Sequence, residues 1–385
     1  MADTFDFDRV IELRGGDSVK WNRYAGDVLP LWVADMDFPA PPAVVSALQQ
    51  RVAQGVFGYA EPTTGLTEAV LAHLETEYGW QIDADWLVWL PGLVTGLNIT
   101  CRAVAGEVLT ATPIYPPFMS APRLSGCSLL TVPLQLQDGR WGWDWPAMAA
   151  AITPSTRLLL LCHPHNPVGR VWDDRELAEI SAFCQQHDLI VCSDEIHCDL
   201  ILDETRRHRP LAMLDAEIAR RSITLMAPSK TFNVPGLGCA FAVIPDAALR
   251  RRFTRAMAGI VPHVNALGLV ACEAAMREGR AWRQALLATL RRNRDRVEAL
   301  VGRLPEVSMT PVEATYLAWI DVRELNLAHP AQHFEAHGLG LSDGADFAAP
   351  GWLRLNFACP LPTLEQALLR FESAVMAAIA AKKVA

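Results

Sequence analysis

Apolar positions follow two rhythms along this chain. Between about residue 86 and residue 245 they form short unbroken runs at 86–90 (WLVWL), 107–111, 128–133, 157–162 (RLLLLC), 189–193 (LIVCS), 222–227 (SITLMA) and 239–244 (CAFAVI). Each run has the length of a strand, and helical patterns near 94–105 and 173–187 lie between some of them. Strands apolar on both faces and separated by helices predict a mostly parallel sheet in a doubly wound α/β domain. Upstream, the first forty residues are irregular, broken by Gly15-Gly16, Pro30 and Pro39-Ala40-Pro41-Pro42. Residues 43–54 then read as a helix with Val44, Val45, Leu48 and Val52 on one face and Gly55 as its stop. Downstream, residues 264–302 form a long amphipathic stretch of one or two helices, charged from Arg277 to Arg296. Short strands near 307–310, 316–321 and 352–357 and a last helix at about 362–380 make a smaller α+β domain. The expected parts are an N-terminal segment 1–42, a large domain 43–280 and a small domain 281–385, with no Gly/Ser linker at the second boundary.

Composition narrows the class. The 385 residues are 51% hydrophobic and 20% charged, enough apolar material for two packed domains. A net charge of −9 argues against a nucleic-acid partner, whose phosphates call for a basic face. The N-terminus, MADTFDFDRV, lacks the apolar core of a secretory signal, and no run approaches a membrane span, so a cytoplasmic protein is expected. Nine cysteines occur without a C-x-x-C pair; Cys162, Cys192, Cys239 and Cys272 lie in apolar runs and read as reduced, buried thiols.

In an open parallel sheet, ligands bind beyond the carboxyl ends of the strands. The polar clusters sit there. After 157–162 comes His163-Pro164-His165-Asn166-Pro167-Val168-Gly169, and after 189–193 comes Asp194-Glu195-Ile196-His197. Pro228-Ser229-Lys230-Thr231-Phe232-Asn233 follows 222–227, and Pro91-Gly92-Leu93-Val94-Thr95-Gly96 follows 86–90 and opens a helix. One rim thus receives an amide, an acid, an amine and a helix N-terminus. Those are the parts of pyridoxal-5′-phosphate chemistry: a lysine to bind the cofactor and move protons, an acid for the pyridine nitrogen, and free N–H groups for the phosphate.

Ordered segments carry a resemblance from residue 31 to 357. They are LWVADMDF (31–38), FGY (57–59), TPIY (112–115), NPVG (166–169), SDEIH (193–197), SKTFN (229–233) and RLN (354–356). The sequence resembles the fold-type I pyridoxal-phosphate enzymes of the class I/II aminotransferase superfamily, and within it the cystathionine β-lyase-like C–S lyases of the MalY/PatB group. The resemblance implies Lys230 as the Schiff-base lysine, Asp194 on the pyridine nitrogen, Asn166 on the phenolic oxygen and Tyr115 stacked on the ring, with His197 also at the cofactor. It further implies phosphate contacts from Leu93, Val94 and Ser229, and from Tyr59 of the neighbouring subunit in a homodimer. Arg354 would clasp the substrate carboxylate, and Trp32 and Asp35 would belong to an N-terminal segment folded over the site. The sequence departs from the wider superfamily at Ala227 and Gly238, where many members carry Ser and Arg, and at His197, where many aminotransferases carry Tyr. The activity implied is β-elimination from L-cystathionine or a related cysteine S-conjugate, with transamination as the alternative and a regulatory, protein-binding role as a more distant one.

Other chemistries fit poorly. His163, His165, Asp194, Glu195 and His197 suggest a metal set, yet no H-E-x-x-H is present to set two histidines on one helical face. Gly236-Leu237-Gly238 begins like a dinucleotide-binding loop, but Phe241 stands at the third glycine and the segment precedes a strand.

Overall fold

The computed structural model describes residues 5–384. Its centre is a seven-stranded sheet of β1 (Leu87–Leu90), β2 (Glu107–Thr112), β3 (Leu129–Pro133), β4 (Thr156–Cys162), β5 (Ile190–Asp194), β6 (Ser222–Met226) and β7 (Ala240–Val243). The spatial order is β1-β7-β6-β5-β4-β2-β3. The pairs from β6 to β3 are all parallel, while β7 runs antiparallel to both β6 and β1. The sheet is therefore mixed at one edge. Strands β5, β6 and β7 are buried almost throughout, as their unbroken apolar runs require. Separate hydrophobic clusters cover its two faces.

The longer helices up to residue 301 are α1 (Pro42–Ala53), α2 (Thr64–Tyr78), α3 (Leu93–Val104), α4 (Asp174–Gln186), α5 (Ala247–Met257), α6 (Ala266–Glu278) and α7 (Arg280–Val301), of which α1 packs on α6 and α7 runs on to the second sheet. Local signals set several ends. Asp173 and Glu176 form a capping box at the start of α4, and Gly79, at φ 68°, closes α2 after Thr63 has capped its first turn. The amphipathic stretch after residue 264 resolves into α6 and α7, broken at Gly279. A Cβ there would lie 2.4 Å from the Phe232 ring, so only glycine lets α7 start against the lysine-bearing loop.

Burial corrects the sequence reading of α1. Val44 is fully buried and Leu48 packs partly, but Val45 and Val52 are 41% and 49% exposed. With Val56 and Phe57 they leave apolar surface on the outside. Helices α2 and α5, which the run-based reading passed over, are both capped, by Thr63 and Asp246.

A second, four-stranded antiparallel sheet contains β8 (Ser308–Met309), β9 (Leu317–Asp321), β10 (Ser342–Asp343) and β11 (Trp352–Asn356), in the order β8-β9-β11-β10. Helices α8 (Pro330–Ala336) and α9 (Leu361–Val384) pack on it. The N-terminal segment joins this unit: Leu29–Pro30 pairs in parallel with Leu339–Gly340, and Leu31, Ala34, Met36 and Phe38 enter one core with β9, β11, α7 and α9. Among the described residues no helix is long and apolar enough to cross a membrane. All nine cysteines are free, and all except Cys127 are buried.

Candidate active site

Where the rims of the two sheets face each other, a cavity of about 810 Å³ opens. Its lining includes Leu93, Val94, Tyr115, Asn166, Asp194, His197, Ser229, Lys230, Arg354 and Trp32. Ten of the predicted site residues are thus brought together by the ends of β1, β2, β4, β5 and β6, by β11 and by the N-terminal segment. Two are not. Tyr59 is fully exposed and outside the cavity. Asp35 lies behind the wall, with its carboxylate 3.5 Å from Lys20 Nζ.

Burial governs the charges. Lys230 is pushed down to about 8 by burial and by Arg354, against the pull of Asp35 and Asp194. Asp194, on the cavity floor, is raised to about 7, first by burial and then by Glu195. Its carboxylate accepts one hydrogen bond, from the Ile196 amide at 3.2 Å, and makes no ion pair. Burial beside Lys230 and Arg354 lowers His197 to about 3, so its ring is neutral, and Nδ1 has no partner. Arg354 is drawn down to about 10 by burial. It donates to Asn166 Oδ1 at 3.0 Å and to the Trp32 carbonyl at 2.9 Å, its Nε is unpartnered, and its guanidinium lies 4.6 Å over the Phe347 ring.

Helix α3 starts at Gly92 with no side-chain cap, and the amides of Leu93, Val94 and Thr95 have no acceptor. These unsatisfied donors and the positive helix end face the cavity and suit an anion.

The N-terminal segment is tied across the site through its own carbonyls. Lys230 Nζ and the Tyr316 hydroxyl both donate to Ala34 O, at 2.5 and 3.0 Å. Asn356 donates to Val33 O and Asp35 O, Ser342 to Trp32 O, and Asn233 to Met36 O and Phe38 O. Asn233 sits at φ 54°, a conformation that asparagine tolerates better than most residues. Buried Lys20 holds Asp37 at 3.0 Å; burial works against its charge, yet Asp37 and Asp35 keep it raised. Below the lysine loop, Asp199 accepts from Thr231 at 3.2 Å, from Tyr78 at 2.6 Å and from Arg283.

Tyr316, Asn233 and Asp199 were not singled out from sequence. Asn233 closes the quoted SKTFN segment and Asp199 lies two residues beyond SDEIH, whereas Tyr316 precedes the apolar run of β9, at the opposite end of a strand from the clusters that marked the others.

A lysine and an acid at adjacent strand ends, an uncapped helix start and an arginine from the second sheet define one class of protein. The model of the aminotransferase class I and II family matches residues 26–371, and the chain belongs to that family. Within it, cystathionine beta-lyase PatB of Bacillus subtilis is 34% identical over 386 residues, covering 96% of this chain and 100% of PatB. The crystal structure of OvoB is 49% identical, with a TM-score of 0.94 over 96% of this chain and 99% of that one. Cystalysin from Treponema denticola, solved with pyridoxal 5′-phosphate, is 31% identical, with a TM-score of 0.92 over 97% of this chain and 99% of that one. The resemblance drawn from the ordered segments is borne out, and the fold is that of the fold-type I enzymes.

Proposed function

We propose that this chain is a pyridoxal-5′-phosphate-dependent C–S lyase that cleaves L-cystathionine or a related cysteine S-conjugate to a thiol, pyruvate and ammonia. The observation that carries this reading is the pairing of Lys230 with Asp194 in one buried cavity, neither in contact with an opposite charge. The residues fit the cofactor. A buried carboxylate with one hydrogen bond suits a protonated ring nitrogen, and three free amides suit a phosphate. When bound, pyridoxal phosphate supplies an aldehyde that captures amines and a cationic ring that draws electrons from the substrate Cα.

The chain's residues do the rest. Asp194 would keep the proton on the ring nitrogen, and Leu93, Val94 and Ser229 would hold the phosphate. Tyr115 would stack on the ring, Asn166 would hydrogen-bond its phenolic oxygen and His197 would also meet the cofactor. Arg354, which now donates to Trp32 O, would clasp the substrate carboxylate with its planar fork and so orient the substrate in the cavity with Lys230. Lys230 Nζ takes the Cα proton; with burial holding it near 8, a useful neutral fraction exists close to neutral pH. The Cα–H electron pair would close a Cα–Cβ double bond as the sulfur leaves with the Cβ–S pair and takes up a proton, and water would hydrolyse the released aminoacrylate to pyruvate and ammonia.

The protein works in the cytoplasm as a homodimer, with Tyr59 reaching the partner's phosphate. Support comes from the full exposure of Tyr59 beside the apolar surface of Val45, Val52, Val56 and Phe57. The deciding experiment incubates the purified, cofactor-loaded protein with L-cystathionine and no keto acid. Equal yields of pyruvate and thiol are expected. Turnover only on addition of a keto acid would make the enzyme an aminotransferase.

A further inference from the structure

We propose that Tyr316 is a positioning residue for Lys230, acting through the Ala34 carbonyl that both side chains share, and that its hydroxyl keeps the lysine amine ready to lose its proton. The inference rests on Lys230 being the catalytic lysine.

The geometry is a three-centre junction. Ala34 O accepts from Lys230 Nζ at 2.5 Å and from the Tyr316 hydroxyl at 3.0 Å. A carbonyl oxygen has two lone pairs, and here both are taken. Two donors on one oxygen compete, so each weakens the other's bond. The ammonium form of Lys230 gains most from a strong acceptor, because a charged donor makes the stronger hydrogen bond. By occupying half of that acceptor, Tyr316 removes support from the ammonium and leaves the neutral amine favoured. Tyr316 is fully buried, outside the cavity lining, and held edge-on by the His197 ring at 5.9 Å, so its hydroxyl has a fixed direction. Around the amine, Asp35 and Asp194 favour the charged form and Arg354 opposes it. His197, neutral, adds no charge.

The chain allows a direct test, because it has only four lysines: Lys20, Lys230, Lys382 and Lys383. Cofactor-free protein is pulsed with trace isotopic acetic anhydride across pH 6–11, and labelling of each lysine is read by mass spectrometry with exposed Lys383 as the reference. Tyr316→Phe should raise the midpoint of Lys230 labelling by roughly half to one pH unit, cutting its reactivity at pH 7 about three- to tenfold. Site-specific 3-fluorotyrosine at position 316, a stronger donor of nearly the same shape, should move the midpoint down. It keeps the test open if the phenylalanine variant fails to fold. Ser342→Ala removes one of the two donors on Trp32 O, leaving Arg354 there, and should leave Lys230 unmoved. No shift, shifts of the opposite sign, or an equal shift in Ser342→Ala would overturn the proposal. Wild-type protein loaded with pyridoxal phosphate should lose Lys230 labelling; if it does not, the cofactor reading fails, independently of the Tyr316 link.

Discussion

Replacing Asp194 with asparagine should cost activity and stabilise the cofactor-free protein, and both effects follow from one buried carboxylate. Asparagine has nearly the same shape and its amide oxygen can keep the bond from the Ile196 amide, now 3.2 Å. Burial raises the carboxyl from 3.8 to about 7, a difference worth about 4 kcal/mol. Between those values the folded chain holds a proton that the unfolded chain has lost. Wild-type stability without cofactor therefore falls as pH rises from 3.8 to about 7, and stays low above it. Asparagine does not titrate. At about 2 cal/mol/K per residue, unfolding entropy is about 0.8 kcal/mol/K here, so the cofactor-free variant should melt about 5 °C higher than wild type at pH 8. That advantage should shrink toward zero at pH 4. With cofactor the order reverses: without the carboxylate, kcat for pyruvate release should drop about a hundred- to a thousandfold. Scanning calorimetry at the two pH values and a lactate-dehydrogenase-coupled assay on cofactor-saturated protein test both arms. Full turnover in the saturated variant, or a melting difference independent of pH, would refute the reasoning.

Other residues give narrower tests. Lys230→Ala should leave no cofactor attached after borohydride treatment and nearly abolish turnover; attachment elsewhere, seen by peptide mapping, would displace Lys230 from its role. Arg354→Lys keeps a charge but loses the fork, so KM for L-cystathionine should rise about ten- to a hundredfold while kcat changes less; an unchanged KM would remove the carboxylate assignment. Lys230→Ala protein mixed with Tyr59→Ala protein should recover activity through hybrid dimers, since one of two sites then holds both native residues. Subunit exchange proven by mass spectrometry without recovered activity would count against the shared site.

The β5, β6 and β4 ends were legible because an unbroken apolar run followed by a polar cluster states both where a strand stops and what it delivers. Asp194, Lys230 and Asn166 were found that way. Strand direction was not legible: the CAFAVI run of β7 is as apolar as its parallel neighbours, and only pairing shows that it runs the other way. The outer face of α1 was misread for a related reason. Helical spacing groups Val44, Val45, Leu48 and Val52, but it cannot say which of them meets α6 and which is left outside. Contacts spanning hundreds of residues were equally hidden. Tyr316 and Asn233 act on residues 34, 36 and 38, and nothing near either position in the sequence announces a partner so distant.

Those long-range bonds explain why the N-terminal segment belongs to the site, although it supplies few side chains to it. Trp32, Val33, Ala34, Asp35, Met36 and Phe38 each present a carbonyl to a side chain from elsewhere. Carbonyls are acceptors only, so the donors that reach them must be amines, guanidinium groups, amides and hydroxyls. Lys230 and Arg354 are among those donors, and both are groups that the proposed chemistry needs for cofactor and substrate. Asn233, Asn356 and Ser342 have no such second task, and Tyr316 acts only through Lys230. The segment is therefore held by two kinds of tie, one from groups with no part in the proposed chemistry and one from groups that take part in it. The bonds from Asn233, Asn356, Tyr316 and Ser342 outnumber those from Lys230 and Arg354 and come from the surroundings of both sheets, so the segment's place over the cavity does not depend on the two cations alone.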